Sequence, residues 1–155
     1  MSRTAERGSV SIEVAVLAPA FIALMVLAGV AGRTAVAAEA IEAAAHDAAR
    51  AASISRDSTT ARAAALKAVQ DQLDWRGLAC ANELNPELTA TVAGQSRNFD
   101  DAFSSTAGTD ATVTVTVVCL VSLQDISLDV LPGMPGEKQV SATFTSPLDR
   151  YRSRE

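Results

Sequence analysis

The chain has 155 residues, a formal net charge of -5, two cysteines and a single histidine. That length suits one modest domain, and the acidic balance, without a basic patch interleaved with aromatics, argues against nucleic acid as a partner. Aromatic residues make up only 4% of the chain and much of the apolar fraction is alanine, so any core must be built from small side chains.

Residues Met1 to Gly8 are polar and net basic, with Arg3 and Arg7 against Glu6. Positive charge ahead of an apolar run holds that end in the cytoplasm. The run itself extends uncharged from Val14 to Gly32, with Glu13 at its mouth and Arg33 at its far end. About twenty such residues make about 28 Å of helix, close to the hydrocarbon thickness of a bilayer. The run therefore reads as a membrane-anchoring and assembly helix, with everything after Arg33 folding on the far side. Pro19 should weaken or kink it, which membrane helices tolerate better than soluble ones. Gly29 and Gly32 are small enough for close helix contact but do not form a GxxxG pair.

Thr34 to about Ser53 is alanine-rich and strongly helix-forming. Glu39, Glu42, His46 and Arg50 line one polar face, where the Glu42–His46 step has the favourable acid-first order. Ala37, Ile41, Ala44, Ala48 and Ala52 form a small-residue face that needs a neighbour. The membrane helix is expected to continue into this one unbroken, for about 45 residues or about 65 Å. A turn is expected over Ser53–Thr60, with Asp57 or Ser58 as N-cap of a second helix that runs to about Trp75 and stops at Gly77. Ala61, Ala65, Leu66, Val69 and Leu73 form its apolar stripe.

Beyond that helix, Cys80–Pro86 reads as loop, Leu88–Ala93 as a weak strand, and Gly94–Gly108 as a long mobile loop. Ala111–Val118, ATVTVTVV, is the clearest strand, with Val113, Val115 and Val117 on one side and threonines on the other. Leu120–Leu131 is apolar but irregular, Pro132–Gly136 is a turn, and Gln139–Thr145 alternates again. Ser146–Glu155 is a charged tail. The expected fold is α+β: a long N-terminal membrane-spanning helix continuing into the alanine-rich helix, a second helix, and a small antiparallel sheet of two or three strands. The domain boundaries are 1–8 for a leader, 9–33 for the membrane helix and 34–155 for an extracytoplasmic domain.

The most informative local pattern is Gly8–Ser9–Val10–Ser11–Ile12–Glu13. A glycine ahead of an apolar helix can be recognised by a protease in extended conformation; a chance glycine followed by a boundary glutamate is the plain alternative. A carboxylate at the edge of hydrocarbon needs a partner, and a new N-terminal amine on Ser9, in the same or a neighbouring subunit, would supply one. Cys80 and Cys119 lack the CxxC spacing of a redox pair. An even count in an exported segment favours one disulfide, whereas a cytosolic chain would keep two free thiols. Closing a loop of about 40 residues would contribute about 3–4 kcal/mol by chain entropy. His46 would have to serve any catalytic triad, and Glu39, Glu42 and His46 would have to supply any metal site, but a solvated charged face accounts for all three.

The blocks ERGSVSIEVAVLAP, HDAARAAS, RDSTTARAAALKAV, TVTVTVVC and SPLDRYR resemble a TadE-like pseudopilin, or minor pilin, of the tight-adherence (Flp, type IV-like) pilus system. The SPLDRYR ending and the cysteine pair resemble its actinobacterial branch. The resemblance covers most of the chain, although only the first block is specific in itself. It implies cleavage after Gly8 by a prepilin peptidase, Ser9 as the mature N-terminus, and a role for Glu13 in subunit register or processing. It also implies partners among other pilins, pseudopilins and the pilus assembly platform, with no catalytic role and no cofactor. The large part beyond the helix departs from a major Flp pilin, which ends soon after it. Two other readings remain: an uncut single-span envelope protein, and a secreted protein cut after Ala37 at Ala35–Val36–Ala37. The length of the apolar run and the position of Arg33 weigh against the second.

Overall fold

The computed structural model describes residues 6–125 and 136–151, with side chains from Ile12 onward. The chain is α+β. Helix α1 runs unbroken from Glu6 to Ile54, 49 residues, through Pro19. Its length is about 73 Å, and its two halves differ. From Ile12 to Val36 it is exposed or only partly covered; from Ala37 it enters the core.

The alanine face explains the second half. Ala37, Ile41, Ala44, Ala48 and Ala52, together with Ala40, Ala45 and Ala49, are all buried. Side chains this small bury little area each but let a neighbouring helix approach closely, toward the short end of the usual 8–10 Å. That neighbour is α2 (Ser58–Arg76), antiparallel to α1 after a short turn, which contributes Ala61, Ala65, Val69 and Leu73. Asp57 caps α2: the Thr60 amide donates to one carboxylate oxygen at 2.8 Å and the Thr60 hydroxyl to the other at 2.7 Å. Gly77 ends it in the left-handed conformation (φ 64°), with its N–H reaching back to the helix carbonyls. Leu66 of the expected stripe is only half-buried.

Four strands, more than expected, form one antiparallel sheet in the order β2-β1-β3-β4. They are β1 (Glu87–Val92), β2 (Gln95–Asn98), β3 (Ala111–Ser122) and β4 (Glu137–Pro147). Val113, Val115, Val117, Cys119 and Val121 of β3 face the helices and are buried; each valine contributes about 1.5–3 kcal/mol by leaving water. The opposite face carries threonines, two pairs of which bond across strands: Thr114 with Thr145 and Thr116 with Thr143, each at 2.8 Å. Strand β3 runs four residues beyond the expected Val118, because Val121 continues the inward alternation and β4 pairs with it as far as Ser122–Glu137.

The expected mobile loop at Gly94–Gly108 is a correction. It holds β2, joined to β1 by a two-residue turn at Ala93 and Gly94, and a short helix α3 (Phe99–Phe103). Both turn residues have positive φ, 50° and 77°, the geometry that a tight hairpin between twisted strands requires. Phe99 and Phe103, one helical turn apart, are buried with ring centroids 5.1 Å apart. Their burial is why this polar stretch is ordered. Of the expected turn at Pro132–Gly136, residues 132–135 lie outside the described residues, as do residues 1–5 of the leader and 152–155 of the tail.

Candidate membrane anchor and processing site

Residues Val14, Val16, Leu17, Phe21, Ile22, Leu24, Met25 and Leu27 all expose half or more of their surface. No residue in the most apolar window of α1 is buried by the rest of the chain. An apolar surface of this extent marks contact with a membrane or a partner, and α1 is long and apolar enough to cross a membrane. Its upper limit is Arg33, whose guanidinium lies 3.5 Å from the Asp125 carboxylate just past β3. Four residues later Ala37 is the first α1 side chain buried in the core. Anchor and domain are thus one continuous helix, without a flexible joint.

Glu13 lies on α1 one residue before the uncharged run and is exposed. Gly8 and Ser9 belong to the same helix, which begins at Glu6. A protease that cuts extended chain would therefore have to unwind the first turns of α1 to reach the Gly8–Ser9 bond. A new amine on Ser9 would start one turn below Glu13, since four residues advance a helix by about 6 Å.

Cys80 and Cys119 form a disulfide with Cα atoms 5.2 Å apart, and no free cysteine remains. The alternative of two free thiols is set aside. The bond lies at the end of the sheet nearest Arg33, where Cys80 also bridges to Val121. Beside it, Asn82 does what a strand neighbour would do for β3 beyond the end of β1. Its amide donates to the Val118 carbonyl at 3.0 Å, and its oxygen accepts from the Leu120 N–H at 2.7 Å. Ala81 donates to the Leu120 carbonyl at 2.9 Å. Nothing in the sequence marked Asn82, because a lone asparagine in a loop carries no periodic signal.

At the far end of the domain, Ser146 donates to the Ser53 hydroxyl at 2.9 Å, tying β4 to the end of α1. Between α2 and α3, Arg62 forks onto both carboxylate oxygens of Asp100 at 3.1 Å and stacks 4.8 Å over the Phe99 ring. Hydrogen bonds from the Ser58 side chain and from Arg62 hold the Asp100 carboxyl below its ordinary value of 3.8. The backbone and side chain of Thr60 do the same for Asp57. These groups cap the start of α2 and tie it to α3.

Glu39, Glu42, His46 and Arg50 are exposed along α1. His46 meets Asp47 Oδ1 at 3.1 Å and the edge of Phe144 at 4.4 Å between ring centroids, rather than working through the expected Glu42 step. Among the described residues no group of three or more His, Cys, Asp or Glu side chains is placed to hold a metal. Among the described residues, open hollows lie by the disulfide around Asn82 and by Ser53 and Ser146. Comparisons with protein-family models, curated proteins and solved structures each found no match for this chain.

Proposed function

We propose that this chain is a non-catalytic, membrane-anchored pseudopilin or minor pilin, similar to TadE-like proteins, that assists assembly of a tight-adherence pilus or related secretion apparatus. The observation that carries the reading is the division of α1. Its apolar half, with Glu13 at the start, is exposed and long enough to cross a membrane, and its alanine-faced half is the central rod of an α+β domain. The basic residues before the run keep the N-terminus cytoplasmic and send the domain across the membrane. A disulfide suits that oxidising side. A prepilin peptidase releases residues 1–8 after Gly8, leaving Ser9 as the first residue. Other pilins, pseudopilins and the assembly platform then take the exposed apolar helix from the lipid.

Glu13 gives the helix register. A carboxylate at the hydrocarbon edge is costly alone, so it favours the one position where a neighbouring N-terminal amine meets it. Secretion with a cut after Ala37 fits less well, because Ala37 is 1% exposed in the core and Arg33 is tied to Asp125. The test is Glu13→Val, measured by membrane fractionation and surface pilus output. Insertion should persist while assembly falls sharply; unchanged pilus output would refute the role of Glu13.

A further inference from the structure

We infer that Trp75 and Arg76, at the C-terminal end of α2, form a foot that rests in the headgroup layer of the bilayer entered by α1. This rests on reading α1 as a membrane span. The two helices are antiparallel neighbours, so the nineteen residues of α2 retrace α1 from Ile54 down to about Ala37. Trp75 lies seventeen residues along α2 from Ser58 and Ala37 lies seventeen residues back along α1 from Ile54, so the equal rise per residue brings the two to about the same level. Arg33, at the end of the apolar run, is four residues lower, or about 6 Å. The polar layer on each side of the hydrocarbon is about 5–8 Å deep. The indole therefore stands at headgroup height.

The side chain suits that place. Trp75 is 74% exposed and takes no part in the core, although it is the protein's only tryptophan. Tryptophan concentrates at membrane interfaces because its ring is apolar and its N–H donates. The Arg76 guanidinium lies 5.1 Å over the ring, which puts a phosphate-binding cation beside it. Val36 of α1, at the same level, is also exposed. Asp74 is exposed next to the pair and opposes anionic lipid, so the indole leads the contact and Arg76 supports it.

The single tryptophan makes the test direct. The full chain is reconstituted in phosphatidylcholine vesicles containing phosphatidylglycerol, and vesicle flotation is combined with fluorescence quenching by brominated lipid or aqueous iodide. A second protein, Trp75→Ala with Ile54→Trp, moves the probe to the opposite end of the domain. The chain should float, brominated lipid should quench Trp75 several-fold more strongly than the probe at position 54, and iodide should show the reverse order. Arg76→Gln should weaken the lipid quenching. A floating chain whose Trp75 is quenched by iodide alone overturns the foot and leaves the membrane span intact. Equal lipid quenching at both positions also overturns it, as non-specific adsorption of the domain. A chain that does not float overturns both.

Discussion

Arg33 on α1 meets Asp125, just past the end of β3, across 3.5 Å. Both side chains are substantially exposed, so the pair adds little stability. Its importance is positional. It marks the level at which the segment just past β3 lies beside the point where the apolar run stops.

The disulfide closes a 39-residue separation in a core dominated by alanine and valine. Replacing both cysteines with alanine should cost about 3–4 kcal/mol, read as a lower denaturant midpoint. Reductant should produce a similar loss in the unaltered protein. A thiol assay on denatured, unreduced protein should find no free thiol.

Asn82 satisfies the Leu120 N–H and the Val118 carbonyl of β3. Asn82→Ala leaves these groups without their side-chain partner and should cost about 0.5–1.5 kcal/mol, since both remain partly open to water. Hydrogen exchange should show faster loss of protection at Leu120 than at Val115, which pairs with both β1 and β4.

Ala93 holds φ at 50° in the β1–β2 turn. The left-handed conformation costs a residue with a Cβ about 1–2 kcal/mol. Ala93→Gly removes that strain but gives back about 0.4–1 kcal/mol through a freer unfolded chain. A net gain of about 0.5–1 kcal/mol is expected from these two effects. Ala93→Asn should also stabilise, since asparagine favours this turn position. Thermal unfolding measures both.

That alanine also explains what could be read from the sequence and what could not. The long helix, its alanine face, the Asp57 cap, the Gly77 stop and the valine alternation of β3 were all legible, because each rests on a local rule. The β1–β2 hairpin was not, since Ala-Gly replaces the Asn-Gly or Asp-Gly signal that usually marks such a turn. Strand β2, QSRN, is exposed throughout and carries no alternation to find. Helix α3 exists because Phe99 and Phe103 reach the core, which is a tertiary effect. The anchor was the most legible part of the candidate site, whereas Asn82 and the Arg62–Asp100 clamp depend on contacts between residues nearly forty positions apart.

Asp57 and Asp100 predict an acid limb to stability. Both carboxyls lie below their ordinary value of 3.8 in the folded protein, so the ionised forms favour folding. Their contribution is full above the ordinary value and is lost as pH falls through the lowered folded values. The double variant Asp57→Asn, Asp100→Asn should be less stable at neutral pH and should show a flatter loss below about pH 4, where the wild-type carboxyls protonate. Denaturant unfolding from pH 7 to pH 2 measures this.

The identity of the first residue tests the central claim most directly. Gly8→Ala should mature normally, while the bulky Gly8→Val should accumulate precursor. In the unaltered protein, mass spectrometry of the membrane-associated chain should find Ser9 at the N-terminus. A chain beginning at Met1 or Ser2 would contradict processing and leave an uncut anchor, and one beginning at Ala38 would remove the anchor altogether.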